Sequence, residues 1–255
     1  MSEQGAELLY EIRDGIGFVT FNRPAQRNAL TFAMYERLAE IADAPGDVRA
    51  LVIAGAGGAF AAGTDMSQFR AFETPEDAWT YEDNMDAVLG RIERCHVPTV
   101  AAITGACTGG GAAIAACCDL RVTDNRLKFG FPIARTLGNC LSIASLARLS
   151  ALIGQARVRE IIFTSRLVGA EEALAAGLVM EIADDALARA TEIAAQIAGY
   201  APLTLRVTKE GLRRLRTEGA GAADRDLIET AYMSEDFREG MEAFLGKRKP
   251  EFKGQ

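Results

Sequence analysis

The sequence predicts an α/β fold in which buried parallel strands alternate with helices. Two short segments with alternating apolar residues flank the Asp14-Gly15 dipeptide, a strong signal of a β-hairpin. The stretch Val97–Cys118 has no charged residue; in it an apolar run precedes a glycine-rich turn and an alanine-rich segment with helical spacing. Strand-like and helix-like segments then continue to alternate, which is typical of a layered parallel sheet.

Each element follows from a local pattern of apolar residues and of residues that begin or end it. Thr31 has the side chain of a helix N-cap, and Pro45-Gly46 ends that helix after Ala44. Strands are predicted at Leu8–Arg13, Ile16–Phe21, Val48–Ala54, Thr99–Ile103, Asp119–Thr123 and Leu178–Ile182. Helices are predicted after Thr31, over Pro75–Arg94, after the triple glycine, and at Leu141–Leu152, Arg157–Thr164, Asp184–Gly199, Pro202–Arg216 and Ala222–Phe244.

Two regions are predicted. A core covers residues 1–195, and a helical region without strand partners covers 196–255, packing on the core or on another subunit. The net charge of −7 argues against a nucleic-acid partner, which requires a basic face. The uncharged stretch is long enough for a membrane span, but its glycines, proline and alanines make a weak one. The first ten residues, MSEQGAELLY, lack the pattern of a secretory signal, so we expect a cytoplasmic protein with no membrane partner.

Cysteine and histidine usage excludes several kinds of chemistry. The five cysteines form no CxxC pair, and His96 is the single histidine, so no metal site of cysteine and histidine is predicted. Any Ser-His-Asp or Cys-His mechanism would have to use His96, which precedes a strand and is interpreted as structural. All the cysteines except Cys140 lie in apolar surroundings and are predicted to be small buried hydrophobic residues.

The triple glycine Gly109–Gly111 leaves bare backbone at the start of a helix. Glycine allows a ligand to approach the main chain closely, and the first N–H groups of a helix have no partner within it. Such a terminus can bind an anion or a developing oxyanion. The alternative is that these glycines only let the helix pack closely and bind nothing.

Several segments together resemble the crotonase, or enoyl-CoA hydratase/isomerase, superfamily. They are FNRPAQRNAL at 21–30, VRALVIAGAGGAFAAGTDM at 48–66, PTVAAITGACTGGGAAIAACCDLRV at 98–122, FGFP at 129–132, EEALAAGLV at 171–179 and EGMEAFLGKRKPEF at 239–252. They follow the family's order and span nearly the whole chain. The resemblance implies a crotonase-like spiral of ββα turns, and C-terminal helices that form a homotrimer or a dimer of trimers. It also implies an acyl-CoA substrate, with coenzyme A present only as part of that thioester.

The resemblance implies an oxyanion hole made of two backbone N–H groups, those of Thr64 and Gly110. Because these donors belong to the backbone, threonine can stand at 64 in place of the family's usual alanine-like residue. The resemblance further implies contacts with coenzyme A from Arg27, Ala62, Phe244 and Lys247, the last two reaching a neighbouring subunit. For Arg27 and Lys247 the alternative is an ordinary solvated charge.

Both glutamates that hydratases of this family use are missing. One position holds Ala113; the other holds Ile133, or Ala134 if an apparent one-residue insertion falls earlier. None of these side chains can transfer a proton, so ordinary hydration is not expected. Leu141 and Ser142 stand in the region where isomerases and dehalogenase-like members place an acid.

Asn139 and Cys140 remain as candidates for the acyl pocket. Asn139 offers an amide, or else it caps the helix predicted from Leu141. Cys140 offers a weak donor or a thiol, and a nucleophilic role would require a lowered pKa.

The helix after Thr74 carries three acids, Glu82, Asp83 and Asp86, that could supply a base from a lid or could simply be solvated. Asp65 could lie near the site or be structural. Three hypotheses therefore stay open: a thioester enzyme with isomerisation, decarboxylation or unusual hydration chemistry, a hydratase that uses lid acids, and a coenzyme A-binding or structural subunit with little catalysis.

Overall fold

Two β-sheets and a series of helices make up residues 6–70 and 72–255, the part of the chain that the computed structural model describes. The strands are β1 (Leu8–Arg13), β2 (Ile16–Phe21), β3 (Ala50–Gly55), β4 (Thr99–Ile103), β5 (Ala106–Thr108), β6 (Leu120–Thr123), β7 (Lys128–Gly130) and β8 (Glu181–Ile182). The helices are α1 (Phe32–Asp43), α2 (Pro75–Glu93), α3 (Gly110–Cys117), α4 (Ile133–Thr136), α5 (Ile143–Ile153), α6 (Gln155–Thr164), α7 (Ala170–Ala175), α8 (Ala186–Ala198), α9 (Pro202–Glu218), α10 (Arg225–Tyr232) and α11 (Glu235–Leu245).

The larger sheet has six strands in the order β1-β2-β3-β4-β6-β8, and β5 pairs with β7 in a second sheet. Only β1 runs antiparallel to its neighbour within these sheets, because it forms a hairpin with β2. In the centre of the sheet Val52 is level with Phe18 on one side and with Val100 on the other. The predicted α/β class with a parallel, layered sheet is confirmed.

Both faces of the larger sheet are buried at β3, which explains why this strand is apolar throughout. Leu51 and Ile53 point into the main core, where they belong to the same cluster as the inner face of α1. Val52 points the other way, into a second cluster that includes Ala190 and Ile193 of α8. Alternate residues of one strand therefore fill two different cores.

Helix α1 begins where the sequence predicts. The Thr31 hydroxyl accepts a hydrogen bond from the Met34 N–H at 3.3 Å, which satisfies one of the free donors of the first turn. Met34, Leu38 and Ile41 recur at helical spacing on its buried face. The same face carries Tyr35, which becomes important at the site.

The glycine-rich turn also forms as predicted. Strand β5 ends at Thr108, Gly109 has a φ of +52°, and α3 starts at Gly110. Glycine adopts this positive φ without the steric penalty that a side chain would bring. The Gly109 N–H donates to the Gly130 carbonyl at 3.0 Å, which ties the turn to β7.

Several boundaries differ from the prediction. Helix α5 starts at Ile143 and not at Leu141, because Ser142 is its N-cap. The predicted helix Ala222–Phe244 is wrong as a single element. It breaks into α10 and α11 at Ser234, whose hydroxyl accepts from the Phe237 N–H at 2.9 Å and starts a new helix.

The remaining differences concern short elements. Strand β3 begins at Ala50, two residues later than predicted, and β8 retains only Glu181–Ile182 of the predicted five-residue strand. The sequence did not predict β5, β7, α4 or α7, since elements of three to six residues are too short for a clear period.

Helices α9 and α10 have no buried residue in the described chain. Ion pairs hold α9 against the core: Lys209 Nζ lies 2.7 Å from an Asp119 carboxylate oxygen, and Arg216 pairs with Glu93. The division at residues 195 and 196 stays a prediction, and this point lies inside α8. Among the described helices, none has both the length and the hydropathy needed to cross a membrane.

Candidate active site

A cavity of about 440 Å³ lies between α2, the start of α3 and the segment that carries α4. The turn at residues 62–64 and the turn at 108–110 form one side of it. Residues 131–133 and 139–141 form another side, and α2 contributes Tyr81, Glu82 and Met85. Two backbone turns from different parts of the chain therefore meet at one cavity.

Thr64 and Gly110, the two residues of the predicted oxyanion hole, both line this cavity. Hydrogen bonds on either side fix the first turn: the Leu30 N–H donates to the Gly63 carbonyl and the Asp65 N–H donates to the Leu30 carbonyl, both at 2.8 Å. Gly110 is the first residue of α3, so its N–H has no partner within the helix. Among the hydrogen bonds of residues 6–70 and 72–255, none is donated by the Thr64 or Gly110 N–H.

The positions of the two absent glutamates also face the cavity. Ala113 lies one turn into α3, and Ile133 begins α4; both contribute to the lining. Ala134 is exposed and is not part of it. The walls at both positions are apolar and offer no group for proton transfer.

Asn139 and Cys140 lie in the loop between α4 and α5, where they are exposed and line the edge of the cavity. The alternative in which Asn139 caps the following helix is wrong, since the Ser142 hydroxyl accepts from the Ser145 N–H at 3.1 Å. The Ser142 hydroxyl also donates to an Asp86 carboxylate oxygen at 2.6 Å, which ties this loop to α2.

The three acids of α2 that were candidates for a base have different surroundings. Glu82 is half-buried and lines the cavity, whereas Asp83 is exposed and Asp86 is engaged by Ser142. Burial, followed by the nearby Asp86 carboxylate, raises the pKa of Glu82 above its ordinary value. Of the three, only Glu82 is therefore placed to exchange a proton with a molecule in the cavity.

Asp65 has a structural role. Its carboxylate accepts from the Ser67 N–H at 3.0 Å at the start of a short 3₁₀ helix, and it forms an ion pair with Arg23 at 3.0 Å. Hydrogen bonds from Ser67, and then the Arg23 guanidinium, lower the pKa of Asp65. Asp65 thereby stabilises the turn that presents Thr64.

The predicted coenzyme A contacts lie in two places. Ala62 lines the cavity, and its N–H donates to the Arg27 carbonyl at 3.0 Å, so the exposed Arg27 lies beside the same turn. Phe244, which is 83% exposed, and Lys247 lie at the end of α11 and do not line the cavity of this chain. The latter two remain predicted contacts to a neighbouring subunit.

Two tyrosines at the cavity were not predicted from the sequence. The Tyr35 hydroxyl from α1 lies 2.9 Å from Thr64 Oγ1, and the Tyr81 hydroxyl from α2 lies 3.3 Å from the same atom. Both tyrosines line the cavity. The sequence did contain a signal for this contact: a tyrosine lies among the apolar residues of α1, and position 64 carries a hydroxyl group.

The remaining predicted residues lie away from the chemistry. His96 is exposed ahead of β4 and does not line the cavity, which agrees with a structural interpretation. The four cysteines that were predicted to be buried are free and buried, and Cys140 is exposed. Burial raises the pKa of Cys118 to about 12, so its thiol is inert.

Comparison with known proteins places this arrangement in a family. Residues 11–255 match the family model described as enoyl-CoA hydratase/isomerase. A Mycobacterium bovis protein named "Probable enoyl-CoA hydratase" is 34% identical over 254 residues, covering 96% of this chain and 97% of its own length. The 2,3-dehydroadipyl-CoA hydratase of Escherichia coli is 31% identical over 258 residues, covering 98% of this chain and its full length, 100%.

A solved structure has the same fold. The crystal structure of an enoyl-CoA hydratase/isomerase family protein from Hyphomonas neptunium aligns with a TM-score of 0.90 and 33% identity, and covers 100% of both chains. The fold is thus crotonase-like, as the sequence predicted. The chain belongs to the enoyl-CoA hydratase/isomerase family.

Proposed function

We propose that this protein acts on an acyl-CoA thioester and stabilises a thioester enolate between the Thr64 and Gly110 N–H groups. The observation that carries the proposal is that Thr64 and Gly110 line one cavity, while neither N–H donates a hydrogen bond within the described part of the chain. Donors fixed in advance toward a developing negative charge need no reorganisation during the reaction, and each contributes roughly 3–4 kcal/mol by mutagenesis. The relatives named as enoyl-CoA hydratases support the substrate class.

The bound thioester is proposed to enter past Arg27 and Ala62. An exposed arginine beside the cavity attracts the phosphate groups of coenzyme A even though the whole chain has a net charge of −7. Phe244 and Lys247 are proposed to reach the same coenzyme from a neighbouring subunit. Asn139 and Cys140 are proposed to contact the acyl group from the edge of the cavity.

The reaction proposed is an isomerisation, a decarboxylation or an unusual hydration, because Ala113 and Ile133 cannot position and activate water. In a decarboxylation, cleavage of the C–C bond leaves the electron pair as the enolate, carbon dioxide departs, and a proton then reaches the α-carbon. The enzyme has to bind the enolate oxygen in this reaction, which is what the two amides would do. It does not have to generate a hydroxide.

A second candidate is hydration with a lid acid, and the position of Glu82 favours it. This side chain lines the cavity, and its raised pKa makes it a better proton donor near neutral pH than an ordinary glutamate. A third candidate is a protein that binds acyl-CoA with little catalysis.

A panel of enoyl-, malonyl-type and ring-bearing acyl-CoA thioesters, assayed by mass spectrometry, separates these candidates. We expect conversion of at least one thioester and slow hydration of crotonyl-CoA. Hydration at the rate of an enzyme with both glutamates would contradict the proposed reaction class. Binding without conversion of any thioester would leave the third candidate.

The oxyanion assignment is tested by an amide-to-ester replacement at Gly110, which removes the N–H and adds no atom beyond the backbone. We expect turnover to fall by roughly 10²–10³-fold because one oxyanion donor is lost. The matched control is the same replacement at Gly221, which has no atom within 4 Å of a Cβ position and lies outside the cavity lining. Equal turnover in the two ester variants would reject the assignment.

A further inference from the structure

Tyr35 is a buried polar residue at the cavity whose role the proposed function does not explain. Its side chain is 1% exposed, yet it lines the cavity. A Cβ atom built on Gly110 would lie 1.8 Å from the Tyr35 hydroxyl oxygen and 3.1 Å from Thr64 Oγ1. The hydroxyl is thus packed directly on the glycine whose N–H is one of the two amides.

Tyr35, Thr64 and Tyr81 form a chain of three hydroxyl groups that share two contacts, at 2.9 Å and 3.3 Å. Each contact uses one proton, so one of the three hydroxyl protons is left over. Among the hydrogen bonds of the described residues, neither tyrosine hydroxyl has another partner. Since all three residues line the cavity, the remaining proton is available to a molecule bound there.

The tyrosines remain protonated at neutral pH. Burial is the main cause that raises the pKa of both, and the neighbouring tyrosine adds to the effect for Tyr35. A neutral hydroxyl in a buried site can donate a hydrogen bond. It cannot act as a base in this range of pH.

In each of the two contacts either hydroxyl can be the donor. Tyr35 is the member packed on Gly110, so the arrangement that serves a ligand at the two amides has Tyr81 donating to Thr64 and Thr64 donating to Tyr35. This arrangement leaves the Tyr35 proton for a molecule in the cavity that Tyr35 lines. A hydroxyl that accepts one hydrogen bond becomes a stronger donor in the next.

We propose that the Tyr35 hydroxyl is a third hydrogen-bond donor to the thioester oxygen, beside the two backbone amides, and that Thr64 and Tyr81 are positioning residues that orient it. This inference rests on the proposed function, because it requires a thioester in the cavity. It gives the Thr64 side chain a task that is separate from that of its N–H.

The test is difference infrared spectroscopy of bound crotonyl-CoA labelled with ¹³C at the thioester carbonyl. Hydrogen bonds to a carbonyl oxygen lower its stretching frequency. We expect the wild-type protein to lower the carbonyl frequency relative to crotonyl-CoA in solution. The Tyr35→Phe variant should lower it less, because one hydrogen bond is lost. Thr64→Val retains the backbone N–H and the side-chain shape, so its frequency should differ from that of the wild type by less than in Tyr35→Phe.

Tyr10→Phe is the matched control, because its hydroxyl donates to the Pro45 carbonyl and lies outside the cavity lining. Its bound crotonyl-CoA should have the wild-type frequency, and thermal melting of each variant checks that the fold persists. An unchanged frequency in Tyr35→Phe overturns the inference.

The ester variant at Gly110 separates this inference from the proposed function. If the ester returns part of the shift and Tyr35→Phe does not, only the third donor is rejected. If the wild-type protein binds none of the thioesters of the panel, the proposed function fails and the inference fails with it. If crotonyl-CoA binds with no change in frequency, the oxyanion hole fails and the third donor fails with it.

Discussion

At the scale of the residue, Gly110 serves the site in two ways. Its N–H is free at the first position of α3, and its missing side chain leaves room for the Tyr35 hydroxyl. Any other residue would place a Cβ atom 1.8 Å from that oxygen, far inside van der Waals contact. Position 110 requires glycine because a side chain would have no room there. Position 109 requires glycine because its backbone φ is +52°, an angle that other residues rarely adopt.

Gly110→Ala is therefore expected to lower the free energy of unfolding by about 1–3 kcal/mol, the usual cost of overpacking a buried site. Adding Tyr35→Phe removes the clashing oxygen and leaves the ring carbon at 3.1 Å, so the double variant should be more stable than the sum of the single changes predicts. Urea unfolding of the four proteins measures this coupling.

Gly221→Ala is the control for the intrinsic effect of the substitution, because its Cβ would have no atom within 4 Å. We expect little change in its free energy of unfolding. Strict additivity of Gly110→Ala and Tyr35→Phe would show that the hydroxyl does not pack on the glycine in solution.

At the scale of the element, α2 forms one wall of the cavity. Glu82 is the only acidic residue of this helix that lines the cavity. The helix begins with a capping box, in which the Asp77 N–H donates to the Thr74 hydroxyl at 3.3 Å and the Thr74 N–H donates to the Asp77 carboxylate at 2.8 Å. Its register then turns Glu82 inward and Asp83 outward.

We expect residual hydration of crotonyl-CoA to depend on Glu82 and to fall by about a hundredfold or more in Glu82→Gln. Because the folded pKa of Glu82 is raised, its protonated form persists to higher pH. The part of the hydration rate that depends on Glu82 should be present below the raised pKa and should be lost as the pH rises through it. The pH profile of hydration measures both effects.

The exposed neighbour Asp83→Asn is the matched control and should leave the profile unchanged. The same shift has a consequence for stability: the folded state binds the Glu82 proton more tightly than the unfolded state, so stability falls as the pH rises from 4.5 through the raised pKa. Glu82→Gln should remove this slope. A profile unaffected by Glu82→Gln would reject the lid acid.

At the scale of the whole molecule, the C-terminal helices expose large apolar side chains. They include Leu212, Leu215, Ile228, Tyr232, Met233, Phe244 and Leu245, each more than half exposed. Large apolar side chains exposed in such number are typical of an interface between subunits. We therefore keep the prediction of a homotrimer or a dimer of trimers.

Light scattering should give a mass of three or six chains, and Leu212→Glu should shift the equilibrium toward smaller species because it places a charge in the interface. Ile12→Glu, at an exposed apolar position of the edge strand β1, is the control and should leave the mass unchanged. A wild-type monomer would contradict the assembly and, with it, the roles of Phe244 and Lys247 in a neighbouring site.

Much of the fold could be predicted from local patterns. The Asp14-Gly15 hairpin appears with the positive φ angles that its turn requires, 51° and 72°, and Thr31 caps α1 as its sequence position indicates. The break at Ser234 was missed because apolar residues keep a helical spacing across it. Only the serine hydroxyl shows that a second helix begins there.

The site was predictable only where backbone motifs carry it. The AGTD and triple-glycine turns indicated Thr64 and Gly110, and the fold brings both to one cavity. The hydroxyl chain could not be predicted, since Tyr35 and Tyr81 lie 29 and 17 residues from Thr64 and meet it only through the packing of α1 and α2. Asn139 was a candidate cap because the helix was predicted to begin at Leu141, but the helix begins at Ile143 and Ser142 caps it.

The distribution of thiols has a practical consequence. Cys140 is exposed at the edge of the cavity, while the other four cysteines are buried. A thiol-reactive fluorophore would attach there selectively and without engineering, since accessible thiols react first. The unaltered chain thus carries a built-in attachment point at the edge of the cavity, from which the arrival and departure of a bound molecule can be followed optically.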